Sequence, residues 1–121
     1  MRENVVKDKS FEFAVRAVNL YKYLVDNKKE FILSKQLLKS GTSAGANIEE
    51  GAAGQSKKDF ISKLSVSLKE AKETHYWLRL LHRCEYLDKK MFDSIIKDCD
   101  EIIVILTSIL KTSRKNVGIE E

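Results

Sequence analysis

The 121-residue chain contains no proline. Proline removes a backbone donor and disrupts helix interiors, so every segment is free to be helical. Glycine is scarce as well: four of the five residues crowd into positions 41–54. The two cysteines, Cys84 and Cys99, lie fifteen apart with no CxxC spacing. That pattern is no zinc ribbon and reads as two buried, reduced thiols in a cytosolic protein, with a single disulfide as the lesser alternative. No segment approaches the ~20 apolar residues of a membrane-spanning helix. The first ten residues, MRENVVKDKS, lack the apolar core of a secretion signal. A cytoplasmic protein with no membrane partner is expected. Charge of one sign is also in short supply. Twenty-two basic residues face eighteen acidic ones, for a net +4, which permits a nucleic-acid partner without requiring one.

What is present is helical periodicity in a soluble, globular composition, with 43% hydrophobic and 33% charged residues. The length predicts one domain, residues 1–121. Apolar residues recur every three or four positions in four segments, predicting helices over 10–27, 32–53, 56–84 and 88–113, with a frayed tail at 114–121. The first carries two apolar faces, one with Phe11, Val15, Val18 and Val25, the other with Phe13, Ala17, Leu20 and Leu24. The third opens on a capping-box pattern, Ser56 to Asp59, and the fourth on Asp88 as N-cap. Short polar breaks between long amphipathic helices predict an all-α, up-down antiparallel, left-handed four-helix bundle. In the fourth segment Ile102, Ile103, Val104, Ile105 and Leu106 are apolar all the way round. A small bundle leaves part of such a turn in water, and another copy of the chain would cover it. These five residues, with Trp77 as an aromatic anchor, are the candidate oligomer interface.

The stretch SGTSAGANIEEGAAG, residues 40–54, interrupts the large side chains. A phosphate loop needs GxxxxGK[ST], but Gln55 follows Gly54, and a dinucleotide GxGxxG is absent. A linker would not keep Ala44 and Ile48 in register with Leu33 and Leu37. Close helix packing remains: Gly41, Ala44, Gly45 and Gly51 let a neighbouring helix approach nearer than the usual 8–10 Å. The third helix, with Ser67 and Ala71, is the expected neighbour, and Gly54 the expected left-handed helix end. Asn47 and Glu50 then fall in a confined place, with Ser67, Glu70 and Thr74 as hydrogen-bond partners in a structural polar network. Glu50, Glu70 and Glu73 also fit an acid–base site, which requires a cleft that the sequence does not reveal. The preferred reading is structural, with no catalytic residues and no enzyme activity.

On the third helix Lys69, Lys72, Tyr76, Arg79 and Arg83 follow 3–4 spacing, and Lys57 and Lys58 lie near its start. A basic stripe with one aromatic can track a phosphate backbone and stack a base. It can equally be a solvated face whose cations pair with Glu70, Glu73 and Glu85. His75 and His82 match no common zinc spacing with Cys84 and Cys99, so neither a metal nor a cofactor is expected.

The segments QLLKSGTSAGANIEEG (36–51), SKKDF (56–60) and SLKEAKE (67–73) resemble the 23S rRNA intervening-sequence proteins, also labelled the S23 ribosomal protein family. The resemblance covers nearly the whole chain and is most specific at Asn47-Ile48-x-Glu50-Gly51, then Ser56, Phe60 and Glu70. It implies a ring-like homo-oligomer, typically a pentamer, of small four-helix bundles. Relatives implied by it include the basic accessory proteins of diversity-generating retroelements, which bind nucleic acid and reverse transcriptase. This chain departs from those in being only weakly basic. The function expected is a non-enzymatic oligomeric binding or scaffold protein, presenting a basic surface to RNA or to an RNA-handling partner. The alternative is a purely structural or protein-binding module.

Overall fold

The computed structural model describes residues 2–118, and these form four helices: α1 (Arg2–Lys28), α2 (Leu33–Ala52), α3 (Lys57–Arg83) and α4 (Lys89–Asn116). No strand occurs among the described residues. Each helix packs on its sequence neighbours, and α1 closes the bundle against α4. The pairings run in opposite directions along every adjacent pair. Lys7 meets Glu49 and Ala17 meets Gly41; Arg16 meets Asp98 and Lys9 meets Glu101; His75 meets Asp100 and Ser65 meets Arg114. Thr74 meets Ser40, whereas Ser67 meets Ala44 and Lys63 meets Glu50. The bundle is therefore up-down and antiparallel. The connections are short, as antiparallel neighbours require.

The first helix begins eight residues earlier than its periodicity predicts. Val6 is buried and extends the stripe of Phe13, Ala17, Leu20 and Leu24 by nearly two turns. Ser10, which resembles a start signal, sits mid-helix with its hydroxyl donating to the Lys7 carbonyl at 3.0 Å. The second apolar face of α1 is not part of the buried core: Phe11 and Val15 are exposed, and Val18 and Val25 are half-buried. The fourth helix also outruns its expected end. Arg114, assigned to a frayed tail, lies within α4 and reaches Ser65 on α3 at 3.0 Å. Of the predicted tail, residues 119–121 lie outside the described residues.

The helix ends show how the sequence sets each boundary. Ser56 and Asp88 accept from the backbone N–H three residues on, at Asp59 and Met91. The α2 start has no such residue, because Ile32 carries no polar side chain. Glu30 substitutes from outside the helix. Its carboxylate accepts from the N–H groups of Ile32, Leu33 and Ser34 at 3.1, 2.9 and 2.6 Å, satisfying three of the four orphan donors. At the other end of α3, Glu85 takes a left-handed φ of 68°. The Tyr86 N–H bonds the Leu81 carbonyl and the Glu85 N–H the His82 carbonyl, the two bonds of a Schellman motif. Gly54 does not end α2 in the left-handed region as expected. The only described residues with positive φ are Lys29, Glu85 and Gly118. Space at Gly54 is tight: a Cβ there would lie 3.1 Å from the Gly51 carbonyl and 3.2 Å from the Asp59 Cβ.

The small-residue stretch is continuous helix as far as Ala52 and seats two neighbours rather than one. A Cβ at Gly41 would come 2.8 Å from the Ala17 Cβ, and one at Gly45 3.2 Å from the Ser10 carbonyl, both on α1. Gly51 instead makes room for Leu64 on α3. Ala44 is buried and its carbonyl accepts the Ser67 hydroxyl at 2.6 Å. Alternating the two contacts along one helix lets α2 approach α1 and α3 closely at once.

Candidate functional site

The buried polar network differs from the expected one in its members. Ser67 and Thr74 belong to it, and Ser40 is the partner that sequence reasoning did not assign. The Ser40 and Thr74 hydroxyls lie 2.7 Å apart, and Thr74 lies 2.8 Å from the Glu70 carbonyl. A threonine has a single hydroxyl proton, so donation to Glu70 makes Ser40 the donor in the pair. Glu70 takes part through its backbone only. Asn47 turns back on its own helix and donates to the Ser43 carbonyl at 2.8 Å. Glu50 is exposed and pairs with Lys63 at 3.2 Å. Glu73 accepts from the Trp77 indole at 3.4 Å. The helical positions explain the correction. Ser40 and Ala44 lie along the α2 edge that meets α3, while Glu50 lies past it, toward water. Glu50 and Glu73 are thus engaged by different partners, Lys63 and Trp77.

The apolar run of α4 is divided by the same geometry. Ile102 and Leu106 are buried in the core of their own subunit, so they are removed from the candidate interface. Val104 is 67% exposed, with Ile103 and Ile105 half-buried beside it. Trp77 packs partly against the core and meets Tyr76 edge-on at 5.1 Å.

Cys84 is exposed, contrary to the expectation of a buried thiol, because it occupies the C-cap of α3. Cys99 is buried, and burial together with the Asp100 charge pushes its thiol up to about 12. The histidines lie apart in role. His75 bridges to α4, its Nε2 2.9 Å from Asp100. His82 stacks on Phe92 at 4.3 Å, with Nδ1 3.0 Å from the Leu87 carbonyl.

The basic stripe is the most coherent surface feature. At 100° per residue, Lys58, Lys69, Lys72, Tyr76, Arg79 and Arg83 fall within about 80° of one another on α3, and Lys57 stands about 40° outside. The stripe runs about 38 Å at 1.5 Å per residue. All seven residues are exposed. The buried residues Ser67, Thr74, Leu78 and Leu81 lie roughly opposite, while buried Ile61 and Leu64 border the stripe near the start of α3. The expected pairing with Glu70, Glu73 and Glu85 does not occur. None of Lys57, Lys58, Lys69, Lys72 and Arg83 forms an ion pair with a described residue, a condition they share with lysines elsewhere such as Lys22, Lys35 and Lys97, while Lys7, Lys9, Arg16, Lys63 and Lys89 are paired. Arg114 adds a cation that the sequence reading missed. Its hydrogen bond to Ser65 puts it between Lys58 and Lys69. Arg79 is the ordered member: its Nε donates to His75 Nδ1 at 3.1 Å and its guanidinium lies 5.7 Å from the Tyr76 ring centre.

A cleft of about 470 Å³ lies at the α2–α3 turn, bordered by Gly51, Gly54, Ser56, Lys57 and Asn116. Another of about 260 Å³ lies between α1 and α4, where Arg16 and Tyr23 meet Leu87 and Met91. Arg16 is already engaged there by Asp98 and Ser94. No group of three or more His, Cys, Asp and Glu residues among the described ones could hold a metal ion, and no helix is long and apolar enough to cross a membrane.

No curated protein matches the chain. A solved structure does: a protein of unknown function from the S23 ribosomal protein family of Bacteroides thetaiotaomicron VPI-5482. It is 59% identical, over 92% of this chain and 99% of that one, with a TM-score of 0.90. The family model described as 23S rRNA-intervening sequence protein matches residues 2–108. A match over that length makes this chain a member of the 23S rRNA-intervening sequence protein family.

Proposed function

We propose that the protein is a non-enzymatic, self-associating binding protein whose α3 face captures the phosphate backbone of RNA. The observation that carries this reading is the set of unpaired cations along one side of α3, Lys58 to Arg83, joined by Arg114. Most lysines elsewhere on the bundle are unpaired too, so what distinguishes this face is the alignment of its cations along one side of a single helix. Unpaired cations in a row release counterions on meeting phosphates, and that release drives binding. Self-association would proceed through Val104 with its half-buried neighbours, and a ring of five would carry about five times the single-chain charge of +4. Repetition of the stripe would then turn weak contacts into avidity. The cytoplasm is the compartment that fits both the RNA partner and the reduced thiols.

The test is a binding titration with structured RNA at several salt concentrations. Affinity falls steeply with salt, and each of Lys69→Glu, Lys72→Glu and Arg83→Glu flattens the log–log slope by about 0.7–0.9. No binding at low salt rejects the reading. A second reading, a protein-binding module, draws on the apolar groove between α1 and α2, formed by Phe11, Ala14, Thr42, Gly45, Ala46 and Glu49, with Phe11 61% exposed. Under that reading, reversing Arg79 and Arg83 leaves partner capture intact, whereas Phe11→Ala weakens it.

A further inference from the structure

Resting on the RNA reading above, we propose that Tyr76 and Arg79 form a preset stacking site for one unpaired nucleobase, so that the ligand of this face is single-stranded RNA, or a loop, rather than an intact duplex. Phosphate capture alone would need only the lysines and Arg83. The centre of the stripe is built differently. Tyr76 is 49% exposed at a position where a charged residue would satisfy the helix equally well. The Arg79 guanidinium lies over its ring, and Trp77 braces it edge-on.

The arginine is held from behind. With His75 Nδ1 accepting from Arg79, the ring proton sits on Nε2, where it donates to Asp100. One tautomer satisfies both contacts, so the chain Asp100–His75–Arg79 ties the guanidinium to α4 and limits its rotamers. An exposed ring and a planar cation, both restrained, offer a base a π surface at little ordering cost. Lys72 and Arg83 flank them along α3, where phosphates on either side of the base would fall. Bases paired inside a duplex do not expose their faces, so the site discriminates against them.

The test compares an unstructured twelve-nucleotide RNA with an otherwise identical abasic strand, which carries the same phosphates without bases. Wild type binds the base-bearing strand about five- to a hundredfold more tightly, the range of one stacked base. Tyr76→Phe keeps that ratio and Tyr76→Ala brings it to one. Trp77 is the only tryptophan of the chain. Its emission changes in unmodified protein with the base-bearing strand and stays constant with the abasic one. That readout does not depend on how any variant folds. Equal affinity for the two strands, an unchanged ratio in Tyr76→Ala, or a Trp77 response to both strands overturns the stacking site while leaving phosphate capture standing. Binding of neither strand overturns both.

Discussion

Replacing Glu30 tests the account of helix boundaries most directly. Its carboxylate is the sole side-chain cap of α2, and it is 8% exposed. Glu30→Ala strips acceptors from three N–H groups. Those of Ile32 and Leu33 belong to exposed or half-buried residues and regain water, at about 0.5–1 kcal/mol each. The Ser34 N–H is buried and is left unsatisfied, at about 1–3 kcal/mol. The total is about 2–5 kcal/mol, a large share of the ~5–15 kcal/mol of a whole domain. Urea unfolding followed by circular dichroism, at matched protein concentration, measures it. The pH dependence adds a second constraint. Burial raises the Glu30 carboxyl, but the N–H groups of Leu33, Ser34 and Ile32 and the Ser34 hydroxyl outweigh it, and the native value lies below the ordinary 4.5. The stabilisation is therefore fully present above pH 4.5 and fades as pH falls through the lower native value. Glu30→Gln has no such titration, so the gap between it and wild type narrows below pH 4.5. A loss under ~0.5 kcal/mol for Glu30→Ala, or a gap that is constant with pH, refutes the cap.

Three further outcomes follow from the packing. Gly41→Ala, which would gain about 1 kcal/mol in an exposed helix, instead destabilises by about 1–2 kcal/mol because its Cβ meets that of Ala17. Adding Ala17→Gly restores most of the loss, and a double-mutant cycle by thermal or urea unfolding reads the coupling. Glu85→Gly relieves a left-handed, non-glycine residue and raises stability by about 0.5–1 kcal/mol in the same assay. In a thiol-reagent assay of native protein Cys84 reacts promptly. Cys99, buried and with its thiol pushed up to about 12, reacts only on unfolding.

The bundle was legible because a 3.6-residue period survives wherever one face is buried and the other is wet. The positions Leu37, Ala44 and Ile48 read as helix through the glycines, and they are helix. Boundaries were less legible where local signals mislead. Val6 gives too little periodicity to announce the first two turns of α1, and Ser10 imitates a cap. Glu30 lay in an apparent polar break, since a cap acting from two residues before Ile32 leaves no conventional signature. Glu85 ends α3 without the glycine that usually marks such a turn. The basic stripe was visible in the spacing of Lys69 to Arg83, but its lack of ion pairs was not.

Residue order alone determined that this chain forms four amphipathic helices joined by short turns, because helix formation and apolar periodicity are properties of consecutive residues. It also determined that small residues line the middle of the second. Tertiary packing alone decided which neighbour each small residue serves, with Gly41 and Gly45 toward α1 and Ala44 and Gly51 toward α3. It decided that Ile102 and Leu106 belong inward while Val104 faces out. It also joined Arg114 to the α3 stripe and His75 to Asp100. These are contacts between residues far apart in the chain, and only the rotation and register of the packed helices fix them.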